Sequence, residues 1–310
     1  MRPQDPREVI LEAYRRYHAP RFIHPDPLEI VLEYEEPADR EVAALLCASL
    51  ALGRVASLLS ACRAALARLE DSDEAARARG GGNPERAPGA GGFAQTGRSS
   101  RPGDLSRIVA EASLGELRER FDGFVYRFFA REEMAHFLFA VGEVIRRRGS
   151  LEAGFLEHFS RREETVLGAL GGFSRELSGY AGGIHGLLLA QVDRGSAAKR
   201  WHLFLRWLVR RDCIDPGGWS TVPASRLVVP MDTHMHRICR RLGILSRKSA
   251  DGRAALEATR LFRVMAPEDP ARFDFSLTRL GINPEAGRES ETLLERWTPT
   301  GAEPGLAPAG

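Results

Sequence analysis

Apolar residues at Trp201, Phe204, Leu205, Leu208 and Val209 follow the i, i+3, i+4, i+7, i+8 spacing of a half-buried helix. This predicts a helix over Ala197 to Arg211. Seven residues bring a helix back to nearly the same azimuth, so Lys199, His202, Arg206 and Arg210 are expected to share its other face as a basic stripe. The same periodicity predicts helices from Pro6 to about His18, Val42 to Leu52, Val55 to Leu69, Leu105 to Arg120, Glu132 to Arg148 and Glu163 to Leu177. The Val42 helix is apolar nearly all round, which places it at the centre of the core. Ser150-Leu151-Glu152 opens a further helix, through about Ser160. Asp251 to Met265 and Pro267 to Leu280 close the ordered part, with a glycine-rich break expected at Gly179 to Ile184. No alternating apolar/polar run marks a strand, and no repeat is visible. The fold class expected is all-α, and 310 residues suffice for one large domain or two modest lobes.

Punctuation sets the organisation. Residues 78–103 are dense in Gly, Ser and Pro and bury no apolar surface, so a flexible insertion is expected there. Its glycines lack the Gly-Lys-Ser/Thr ending and flanking strand of a phosphate-binding loop. Residues 291–310, rich in Pro, Gly and Thr, read as a disordered tail. Residues 1–290 otherwise read as a single two-lobed domain.

Charge changes the picture only locally. The chain of 310 residues carries 44 Lys and Arg against 42 Asp and Glu, a net charge of +2. The basic residues are grouped, however: five and no acid from Lys199 to Arg211, and five more from Arg237 to Lys248. Grouping of this kind fits nucleic acid but also fits a solvated helix face. Cys47, Cys62, Cys213 and Cys239 lie far apart, which argues against a zinc site, a cluster or a disulfide framework. Without a signal-like apolar core or a bilayer-length run, the expected location is cytoplasmic.

The candidate chemistry lies in Val229-Pro230-Met231-Asp232-Thr233-His234. Pro230 halts any preceding helix, Asp232 suits an N-cap, and Thr233 to Leu242 is helical up to Gly243. One reading makes Asp232 a cap and nothing more. Another takes Asp232-Thr233-His234-Met235-His236 as a D-x-H-x-H metal cluster, but alternate residues converge on a strand end, not on a helix.

A third reading comes from resemblance. Pro230-Met231-Asp232-Thr233-His234, with Arg237, Arg240 or Arg241 and Leu242-Gly243 following, resembles the segment after the hairpin in the helix-hairpin-helix DNA glycosylases. Endonuclease III, the adenine glycosylases and the 8-oxoguanine glycosylases carry a similar V-D-T-H-x-x-R-x-x-x-R-L run, and its aspartate, here Asp232, is catalytic. Asp26-Pro27, Asp39-Arg40-Glu41, Lys199-Arg200, Phe204-Leu205-Arg206-Trp207, Trp219, Glu268-Asp269-Pro270 and Phe273-Asp274-Phe275 look like an uncharacterised bacterial family near that superfamily. The spacing from Lys199 to Asp232 is similar to that of archaeal 8-oxoguanine glycosylases, which implies Lys199 as nucleophile. Two departures stand out: the L-P-G-x-G hairpin is replaced by Arg194-Gly195-Ser196-Ala197, and the iron–sulfur loop is absent.

The resemblance implies a DNA-repair glycosylase and lyase acting on a damaged base, an oxidised purine among the candidates. Lys199 and Asp232 would be catalytic, and Arg200, His202, Arg206, Arg210, His234 and Arg237 would contact DNA. A carboxylate stabilises the positive charge that builds at the anomeric carbon, and a neutral lysine amine attacks that carbon to give a Schiff base. Neutrality requires burial or neighbouring cations. Trp207 and Trp219 are candidates for stacking on a flipped base, although Trp207 also fits the core. No metal and no cofactor are expected, and the partner is double-stranded DNA bound by a monomer near the nucleoid. The alternatives are a non-catalytic nucleic-acid-binding relative and a metal hydrolase using Asp232 and His234.

Overall fold

The computed structural model describes residues 5–70, 104–182, 192 and 195–282. Among these the chain is mostly helical. The helices are α1 (Pro6–Tyr17), α2 (Leu28–Val31), α3 (Pro37–Ser49), α4 (Val55–Glu70), α5 (Asp104–Glu111), α6 (Leu114–Arg120), α7 (Arg131–Arg148), α8 (Leu151–Leu156), α9 (Leu167–Tyr180), α10 (Lys199–Val209), α11 (Thr233–Arg241), α12 (Gly252–Met265) and α13 (Asp274–Ile282). None of the described helices is long and apolar enough to cross a membrane.

Apolar burial falls into two clusters. The first is built on α3, buried continuously from Glu41 to Ser49, with α4 to α10 around it. Gly142 on α7 lets that helix lie against the backbone of α5, because a Cβ there would sit 2.3 Å from the Val109 carbonyl oxygen. The second cluster joins α1 to the C-terminal helices α11, α12 and α13, so the two ends of the described chain pack together. Leu227 belongs to the first cluster and Val228 to the second, and the crossing falls in the extended stretch just before Asp232.

Several predicted elements shift for local reasons. The expected helix over Leu105–Arg120 is two, because Ser113 and Glu116 form a reciprocal capping box that starts α6. The Pro267–Leu280 helix resolves into a short turn at Pro270–Phe273 followed by α13. The Glu163 helix begins only at Leu167, and it runs through Gly179 to Tyr180, so the expected break opens two residues late, at Ala181 and Gly182 (φ +62°). A two-residue hairpin, Val125–Tyr126 with Phe129–Ala130, corrects the expectation of no strands. Strands of two residues are too short to leave an alternating pattern. The expected insertion at 78–103, the tail at 291–310, residues 183–184 of the glycine-rich stretch and Arg194 of the hairpin substitute lie outside the described residues.

Candidate active site

The backbone delivers Asp232 by a buried, extended run. Val229 N–H donates to Thr259 Oγ1 at 3.1 Å, and Pro230 follows with no N–H to satisfy. Asp232 is then the N-cap of α11 in extended conformation, its Oδ1 accepting from Met235 N–H at 2.8 Å. Its Oδ2 lies 2.9 Å from Lys199 Nζ, at the first residue of α10. The cap expected from sequence and the acid–amine pair implied by resemblance therefore coexist, one on each oxygen. Burial pushes the Asp232 carboxyl up, but the Lys199 ammonium and the Met235 N–H outweigh it and hold the group below the usual carboxylate range.

The pair borders a cavity of about 480 Å³ between the two clusters. Pro25, Pro27, Leu52, Val55, Leu58, Leu203 and Pro230 give it largely apolar walls, and Asp26, His234, Asp274 and Arg279 add polar groups. On its other side Lys199 borders a smaller cavity of about 310 Å³, which Arg200 also lines. Arg200 donates to the Ser49 carbonyl at 2.8 Å, and burial lowers its guanidinium to about 10. His234 and the exposed Arg237 stand on the outer turn of α11, with 3.3 Å between His234 Nδ1 and Arg237 Nη2.

The stripe on α10 is not a surface. His202, Arg206 and Arg210 do share an azimuth, but they are 2–3% exposed. Arg206 pairs with Asp215 and Asp274. Arg210 pairs with Asp212, Asp215 and Asp269. Arg279 pairs with Asp26 and lies over the Phe275 ring. These arginines are internal counter-ions, and a phosphate cannot reach them without displacing a carboxylate. Asp212 and Asp215 fold back from the turn just after α10, and Asp269 and Asp274 come from some sixty residues further on, so the basic stripe itself looks unpartnered in sequence. His202 is likewise enclosed, and burial lowers it to about 4, leaving a neutral imidazole. The DNA-contact expectation for these three side chains is corrected on that ground.

Both tryptophans singled out in the sequence are core. Trp207 is fully buried, and Trp219 donates its indole N–H to Glu41 at 2.6 Å. Glu41 also accepts from Leu151 and Glu152 N–H, capping α8 from across the fold; burial raises its carboxyl to about 7 despite these bonds. The site residue that sequence reasoning missed is Asp274. It lines the large cavity and is pushed by burial, against the pull of Arg206, up to about 6. An acid between Phe273 and Phe275, at the head of a helix, was the available signal.

The chain belongs to the family described as protein of unknown function (DUF2400), whose model matches residues 26–83 and 98–283. No curated protein and no solved structure matches it.

Proposed function

We propose that this DUF2400 chain is a DNA glycosylase and lyase of the helix-hairpin-helix type, acting on a damaged base, with Lys199 as nucleophile and Asp232 as its carboxylate partner. One observation carries the reading: Lys199 and Asp232, 33 positions apart in the chain, meet at 2.9 Å on the rim of a cavity able to receive a base. Asp232 takes the proton from the Lys199 ammonium. The free amine attacks the anomeric carbon as the base departs with the electron pair of the broken C–N bond; the base takes the proton held on Asp232, which returns to the carboxylate form. The carboxylate stabilises the positive charge on the sugar as that bond lengthens. The Schiff base that follows permits β-elimination and a strand nick.

A base must leave the duplex to reach such a cavity. With Arg206 and Arg210 internal, phosphate contact is left to Lys199, Arg200, His234, Arg237 and neighbouring exposed arginines such as Arg240 and Arg241. The metal-hydrolase alternative loses support because Asp232 Oδ2 faces an ammonium and His234 Nδ1 faces Arg237. Among the described residues the group with metal-type spacing is His18, Asp212 and Cys213 beyond the other end of α10, where Asp212 is already 2.6 Å from Arg210.

The test is single-turnover base release from a duplex carrying 8-oxoguanine, hypoxanthine or uracil, with undamaged duplex as control. Release of at least one base by the wild type, abolished in Lys199→Gln, is expected. Salt-sensitive binding with no release on any duplex would favour the binding-module alternative.

A further inference from the structure

We propose that Asp274 reads the edge of the base held in the large cavity: its Oδ1 accepts a hydrogen bond from a ring N–H, so bases with an edge donor are retained and bases without one are rejected. The inference rests on the cavity being a base pocket.

Asp274 stands between Phe273 of the second cluster and Phe275 of the first, and it reaches the cavity from the first turn of α13. Its side chain is 3% exposed. Arg206 Nη1 donates to Oδ2, while no donor among the described residues reaches the buried Oδ1. A buried acceptor left unmet is costly, and nearly all such atoms in folded proteins have a partner. Structure alone does not require this one. Arg206 Nε donates to Asp215, whose oxygen Nη2 also faces at 3.2 Å without a hydrogen bond, and the carboxylates of the inner network outnumber its arginines, with Asp26, Asp212, Asp215, Asp269 and Asp274 against Arg206, Arg210 and Arg279. Asp274 is thus an acid in excess, half satisfied, on the wall of a cavity that also presents Pro25, Leu52, Val55, Leu58 and Leu203.

An ionised carboxylate only accepts, so what it asks of a ligand is a donor. The lactam N–H of hypoxanthine or of a guanine-type base meets that demand, as does the imide N–H of uracil. Unsubstituted purine has only ring acceptors on the same edge. A site built for a hydrogen bond discriminates strongly against the analogue that lacks it, because its own polar group is then left unpaired. The charged or titratable groups around Asp274 are Arg206 and Lys199 on α10, Asp232 and Cys239 on α11, Arg279 on its own helix and Asp26 in the connection before α2; His234 lines the same cavity. Because burial raises the carboxyl to about 6, protonation in mild acid converts the acceptor into a donor within an accessible range.

The experiment uses the full chain and two duplexes identical except for one 2′-fluoroarabino nucleotide, bearing hypoxanthine in one and unsubstituted purine in the other. The fluorine blocks cleavage, so equilibrium binding is read without a contribution from bond lability. The wild type is expected to prefer the hypoxanthine duplex by about 10- to 100-fold well above pH 6, the preference shrinking below it. In Asp274→Asn, Arg206 retains the amide oxygen and the NH₂ group replaces Oδ1. The preference should then vanish or invert toward purine, which a purely structural role would not produce. If that variant does not fold, the wild-type preference and its pH dependence still decide. Equal affinity for the two duplexes, with DNA binding intact, overturns the proposal alone. No salt-sensitive binding to any duplex overturns the base-pocket reading and the proposal with it.

Discussion

Asp232→Asn and Asp232→Ala remove different things, and the difference separates a cap from a catalyst. Oδ1 holds the Met235 N–H at 2.8 Å, an N-cap bond of a kind that contributes about 1 kcal/mol. Asparagine caps as well as aspartate does; alanine does not. Oδ2 faces Lys199, with the two side chains 19% and 35% exposed, so screening limits that pair to about 1 kcal/mol or less. The folded carboxyl lies below its usual range, so the stability it contributes is present above the unfolded value and is lost as pH falls through the folded one. At neutral pH, Asp232→Asn should therefore cost up to about 1 kcal/mol and Asp232→Ala about 2 kcal/mol. Urea denaturation with a shared m-value reads both. Base release follows a different order. Each variant lacks the charge that stabilises the developing cation, so both should fall by about 10²- to 10³-fold or more. If Asp232→Asn releases base at the wild-type rate while Asp232→Ala is merely less stable, the residue is a cap and the catalytic argument is wrong.

Other predictions follow from the same geometry. Arg237→Ala should lower the salt dependence of DNA binding by about one unit of slope, as expected for one phosphate contact, read by fluorescence anisotropy across a salt series. Arg210→Met should instead destabilise the fold by about 3–5 kcal/mol, because it strands buried carboxylates; a folded, stable variant with a reduced salt slope would restore Arg210 to the DNA face. His202 is lowered to about 4 in the folded protein, so the unfolded chain binds the extra proton first and stability falls as pH drops from about 6.5 toward 4. His202→Leu should remove an acid-side loss of roughly 3 kcal/mol, measured by denaturation at several pH values. Gly53→Ala should cost at least about 1 kcal/mol, because φ is +92° and the Arg127 guanidinium occupies the space a Cβ would take; an unchanged denaturation midpoint would contradict this.

How much of this was legible in the sequence depends on the range of the interaction. The helical periodicity of α10, the N-cap at Asp232 and the buried character of α3 are local, and each emerges where the pattern predicts it. The Lys199–Asp232 pair came from resemblance, since nothing in the spacing alone brings two helices together. The environment of α10 was illegible. Arg206 and Arg210 look like a solvated stripe until Asp215, Asp269 and Asp274 fold back over them. Asp274 was missed and Trp219 misjudged for the same reason. Whether an acid reads a cavity, or an indole stacks on a base, depends on partners tens to hundreds of residues away. The break between α5 and α6 was legible, because Ser113 and Glu116 form a standard capping box.

The most direct test of the central claim is borohydride trapping on a duplex carrying an abasic site or the preferred damaged base, followed by proteolysis and mass mapping of the adduct. The account predicts a covalent protein–DNA species whose modified peptide begins α10 and carries the adduct on Lys199, lost in Lys199→Gln. An adduct mapping to any other amine, or surviving Lys199→Gln undiminished, would contradict it.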